Sequence, residues 1–176
     1  MSETSDGSAA HWHMPPPMVG GQALGPVVIA RSDRGVLIVR HVLAFPTGVV
    51  IEVEAHGRGT YDSTSFRDPT ARALWFSVRF DDGRETDLDD DFGLRDGQGP
   101  MLHAYATESS GGGPDAAEDI QMKLWLWPLP PPGPVTLTCS WGRVGISGAE
   151  LVLDGDSLRS AAEHAEPFWP ADQYTA

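Results

Sequence analysis

The chain has a single cysteine, Cys139, and a single lysine, Lys123, and it lacks any apolar run long enough to cross a bilayer as a helix. One cysteine excludes an intrachain disulfide, and its inward place in an alternating segment marks it as a small buried hydrophobe rather than a reactive thiol. The shortage of lysine accompanies a formal net charge of −13. Nucleic-acid backbones and anionic membranes are bound mainly by clustered Lys and Arg, so neither is an expected partner. Residues 1–18 carry neither the basic leader nor the apolar stretch of a secretory signal, and a cytoplasmic protein is expected. Catalytic signatures are missing too. The GISG of residues 145–148 lacks the nucleophile-elbow pattern, and the GGG of residues 111–113 stands in a loop between expected strands with no helix after it. No cofactor is expected, and a non-enzymatic protein is the favoured reading.

What the chain does have is alternation. In residues 120–127, Ile120, Met122, Leu124 and Leu126 point one way and Gln121, Lys123, Trp125 and Trp127 the other, as in a pleated strand. After the proline-rich stretch of residues 128–134, Val135, Leu137, Cys139 and Trp141 alternate with Thr136, Thr138 and Ser140. These two runs predict a hairpin with a stiff connection. Further strands are predicted over residues 26–31 and 36–45, joined by the turn SDRG in which Gly35 supplies a positive φ, and over residues 49–56. In residues 36–45, His41 is placed on the same face as Leu37, Val39 and Leu43, as a core histidine. Leu74, Phe76, Val78 and Phe80 define another strand, which turns at Asp82-Gly83 and returns through residues 84–88. Residues 101–107 and 149–153 complete the strands, while residues 57–71 and 108–119 read as loops.

Near the end the period changes. Leu158, Ala161, Ala162 and Ala165 fall at helical spacing after an N-cap at Asp156 or Ser157, and Pro167 stops the helix. The expected fold is all-β: an antiparallel β-sandwich of about eight or nine short strands with one short C-terminal helix over residues 157–165. The 176 residues and 40% hydrophobic content suit one core. Residues 26–170 form that single domain, preceded by a flexible arm over residues 1–25 and followed by a tail over residues 171–176.

The pattern LWLWPLPPPGPVTLTCSW, followed by a short helix and FWP, resembles that of an uncharacterised actinobacterial protein family over roughly the last third of the chain. Residue usage, rich in Ala, Gly, Pro and Asp with arginine as the main cation, also suits a high-GC bacterial genome. The resemblance implies a shared domain type and no particular activity.

Two constellations are candidates for function. Trp75, Trp125 and Trp127, with Tyr105, lie opposite the aliphatic rows of their strands; on neighbouring strands they would form one aromatic row. Such a row serves either as a seat for a partner protein or for self-assembly, or as a stacking platform for a small ligand or carbohydrate. The terminal helix, the Phe168-Trp169 pair or the N-terminal arm is expected to cover part of it. In the acidic run of residues 81–96, Asp87, Asp89 and Asp91 have the spacing of a calcium loop. Phe92 and Gln98, however, occupy the positions that such a loop reserves for its glycine and its bidentate glutamate, so no metal site is expected. His11 and His13, two imidazoles without a third ligand, make no metal site either.

Overall fold

A computed structural model of the chain describes residues 14–58, 74–88, 99–110 and 117–169. Among them, the first half contributes β1 (Met18–Val19), β2 (Gly21–Leu24), β3 (Val27–Arg31), β4 (Gly35–Phe45), β5 (Gly48–Gly57) and β6 (Leu74–Phe80). Next come β7 (Glu85–Asp87), β8 (Met101–Ser110), β9 (Glu118–Trp127) and β10 (Pro134–Trp141). A 3-10 turn at Gly142–Val144 then leads to β11 (Ile146–Asp154), the helix α1 (Gly155–Ala162) and β12 (Glu166–Pro167).

Alternation explains the long strands. In β5, Val49, Ile51, Val53 and Ala55 are buried while Glu52, Glu54 and His56 remain partly exposed. In β10, Val135, Leu137, Cys139 and Trp141 are buried, leaving the hydroxyl-bearing residues on the other face. The strands build a six-stranded antiparallel sheet, ordered β2-β4-β5-β9-β8 with β3 also on β4, and a four-stranded antiparallel sheet ordered β11-β10-β6-β7. The inner faces meet in one core: Leu37, Ile51, Leu124 and Leu126 come from the first sheet, and Phe76, Val78, Leu137 and Trp141 from the second. At one side Leu88 bridges to Leu102, and at the other β11 packs beside β3. The architecture is therefore an antiparallel β-sandwich with, among the described residues, a single short α-helix.

Several local expectations are corrected. The runs on either side of the prolines do not pair with each other. β9 lies between β5 and β8, whereas β10 lies between β6 and β11, so residues 128–133 carry the chain from one sheet to the other. Periodicity identifies two strands but is silent on which sheet each joins. In β4 a β-bulge between Val39 and His41 shifts the register by one residue. One extra residue reverses the facing of everything after it, so Val42 and Ala44 point inward and His41 and Leu43 lie on the opposite face. The arm assigned to residues 1–25 also ends sooner than expected, since β1 and β2 occupy residues 18–24. Gly35 is not in the left-handed region. Glycine is needed there because a Cβ would come within 2.6 Å of Val144, whose carbonyl accepts the Ser32 hydroxyl at 2.6 Å. The Asp82-Gly83 turn does behave as expected, with Gly83 at φ 85° between β6 and β7.

The helix starts two residues before its expected position. Asp154 is its N-cap, and its carboxylate accepts from the backbone N–H groups of Asp156 and Ser157. Leu158, Ala161 and Ala162 enter the main core. The Ala161 carbonyl packs so tightly on Gly21 that any Cβ there would collide with it. α1 thus packs against β2, β4 and β11, and does not lie over the tryptophans.

Candidate functional site

The predicted aromatic row is divided between the two sheets. Trp75 stands on β6, opposite Ser140 in the four-stranded sheet, and is 38% exposed. Trp125 and Trp127 stand on β9 and Tyr105 on the adjacent β8, in the six-stranded sheet. There Trp127 is opposite Met101, and Trp125 is opposite His103 on one side and Val50 on the other. Trp125 is fully buried in a second apolar cluster with Phe45, Val50 and Met101, packed by Met18, Leu43, Tyr105 and Trp127. Its ring meets that of Phe45 edge to face, with centroids 5.9 Å apart. A stacking platform needs an exposed ring face, and Trp125 offers none. The cover comes from Met18 and Phe45, not from the helix. Burial also holds the Tyr105 hydroxyl above its ordinary pKa.

Exposed apolar surface lies elsewhere. β1 and β12 pair antiparallel, with Met18 opposite Pro167 and Val19 opposite Glu166, and the Phe168 N–H donates to the Pro17 carbonyl at 3.2 Å. Side chains alternate across such a ribbon. Met18 turns down onto the Trp125 cluster, which leaves Val19 on the opposite side. Val19 is 60% exposed, Phe168 52% and Trp169 61%. The Phe168-Trp169 pair, expected to help cover the aromatic row, is itself exposed; the β1–β12 pairing beside it is a long-range contact with no local signature.

The outer face of the six-stranded sheet is otherwise polar and cross-linked by charge. Lys123 meets its cross-strand neighbour Glu52 at 3.2 Å, and Arg40 meets Glu54 at 3.4 Å. The carboxylate of Glu52 holds Lys123 above its ordinary pKa. His56 Nδ1 lies 2.6 Å from Asp119 Oδ1, and its Nε2 lies 3.5 Å from Glu54. The hydrogen bond to Asp119 is the largest influence on the imidazole and raises its pKa above 6.5, with Glu54 adding to it against partial burial. With a carboxylate facing each ring nitrogen, His56 belongs to an ion cluster, and neither nitrogen is directed at a nucleophile. Cys139 is no nucleophile either: burial pushes its thiol up to about 11.

No group of three or more His, Cys, Asp or Glu among the described residues has the geometry of a metal site. Asp87 ends β7, whereas Asp89, Asp91, His11 and His13 lie outside the described residues. No helix among the described residues is long and apolar enough to cross a membrane. No known protein-family model matches the chain, and no curated protein matches it.

Proposed function

We propose that this protein is a cytoplasmic, non-enzymatic interaction module that docks another protein on the ribbon formed by β1 and β12. One observation carries the reading. Of the seven large hydrophobic side chains exposed among the described residues, three, Val19, Phe168 and Trp169, lie in that ribbon or directly follow it. Grouped apolar exposure marks an interaction surface, and aromatic side chains dominate binding energy at such surfaces. Phe168 and Trp169 also belong to the FWP element on which the resemblance to the actinobacterial family rests.

Charge selects the kind of partner. Glu163 and Glu166 are exposed beside the patch, and the chain carries a formal net charge of −13. A second copy would bring the same acidic rim and the same net charge, so the complementary occupant is a different protein with apolar side chains inside a basic rim. Affinity capture by the full chain from the lysate of its source organism tests this reading. The expected result is a partner retained by the natural chain, weakened at high salt, and lost from the double variant Phe168→Ser, Trp169→Ser. Retention of the same partner by the double variant would contradict the reading.

A further inference from the structure

At the end of the six-stranded sheet opposite the proline-rich crossover, the β3–β4 turn, the last residues of β5 and the first of β9 border an open cavity of about 430 Å³. Arg31, Arg34 and Arg58 all line it. Three of the chain's eleven arginines therefore border one cavity in a protein that is otherwise strongly acidic. The turn that presents them is braced: the Ser32 hydroxyl accepts from the Arg34 and Gly35 backbone N–H groups and donates to the Val144 carbonyl. Arg58 is fixed beside that turn, its N–H donating to the Arg34 carbonyl at 2.8 Å and its Nε to the Asp33 carbonyl at 3.0 Å.

Elsewhere in the described residues four cations meet carboxylates, while Arg159 donates to the Pro130 carbonyl and Arg79 enters no such pair. Arg40 pairs with Glu54, Arg84 with Asp82, Lys123 with Glu52 and Arg143 with Glu118. Arg31, Arg34 and Arg58 enter no such pair among the described residues, and the two carboxylates in the lining do not balance them. The lining sets three guanidinium groups against two carboxylates, Asp33 and Asp119, and Asp119 is already engaged by His56 at 2.6 Å. With His56 counted neutral, that is a formal surplus of one positive charge, which suits an anionic group. Guanidinium forks match phosphate oxygens with paired hydrogen bonds, and a cavity of this volume lies within the range of small-ligand sites.

We propose that this cavity binds a small ligand through its phosphate group, held by Arg31, Arg34 and Arg58. The site is separate from the terminal ribbon and does not depend on it. All three arginines are exposed on a turn or at strand ends, so their replacement by glutamine leaves the core intact. The test is calorimetric titration of the full chain at low ionic strength with inorganic phosphate and with glucose 6-phosphate, using sodium chloride at matched ionic strength as the blank. Saturable binding is expected for at least one of the two phosphates. It should weaken by about tenfold in Arg34→Gln and in Arg58→Gln, the loss of one charge-assisted contact each, and stay unchanged in Arg79→Gln on β6. Absence of saturable binding with both phosphates, or equal weakening in Arg79→Gln, would overturn the proposal.

Discussion

Leu137 has no exposed surface and sits between Val78 on β6 and Leu151 on β11. Its truncation removes methyl groups from the middle of the core and leaves a cavity that flanking strands cannot fill. Leu137→Ala is expected to cost about 2–5 kcal/mol in chemical denaturation, and a loss below about 0.5 kcal/mol would contradict the core placement. His56 gives a second test at this scale. Its folded pKa is raised above 6.5, chiefly by Asp119, so its ion cluster contributes stability fully below about pH 6.5. That contribution is lost as pH rises through the raised folded value. An NMR titration should place the His56 midpoint above 6.5 and show it moving down in Asp119→Asn; an unmoved midpoint would remove Asp119 as the cause. Facing was legible for Leu137 because strict alternation runs through all of β10. It was illegible for His41, because the bulge that turns it away leaves no mark on the apolar pattern.

Elements were more legible than their partners. Alternation located the long strands, and the Asp82-Gly83 turn located a true hairpin, because both signals are local. The two runs around residues 128–133 looked alike, yet they belong to different sheets, and only tertiary packing decides between a hairpin and a crossover. The helix period was likewise visible, but its destination was not. Its alanine-rich face suits close approach, and the surface it approaches is Gly21 and the open edge between the sheets rather than the tryptophans. A helix of eight residues does not persist in water without packing, so α1 and the core edge stabilise each other. Removing residues 155–176 is therefore expected to uncover core residues near Val42 and Ala44, lower the melting temperature and raise binding of an apolar dye. Unchanged stability and dye binding would show that the helix is not part of the core.

At the scale of the whole molecule, the ribbon of β1 and β12 brings residues 18–19 and 166–167 together beside the Trp125 cluster and leaves Val19, Phe168 and Trp169 exposed. The row expected at Trp75, Tyr105, Trp125 and Trp127 is divided between the two sheets: Trp125 is buried beside Met18, Trp75 is exposed on β6, and further exposed rings come from Phe168 and Trp169. On the docking proposal, the formal net charge of −13 disfavours a second copy and favours a partner with a basic rim. The most direct measurement of the docking claim is site-specific photo-crosslinking in the source organism, with p-benzoylphenylalanine placed at Glu166 and, as a control, at Thr138 on the outer face of the four-stranded sheet. The account predicts one dominant adduct with a different protein from position 166, absent from position 138 and abolished by Phe168→Ser with Trp169→Ser. Adducts only with a second copy of this chain, or the same adduct in equal yield from both positions, would contradict it.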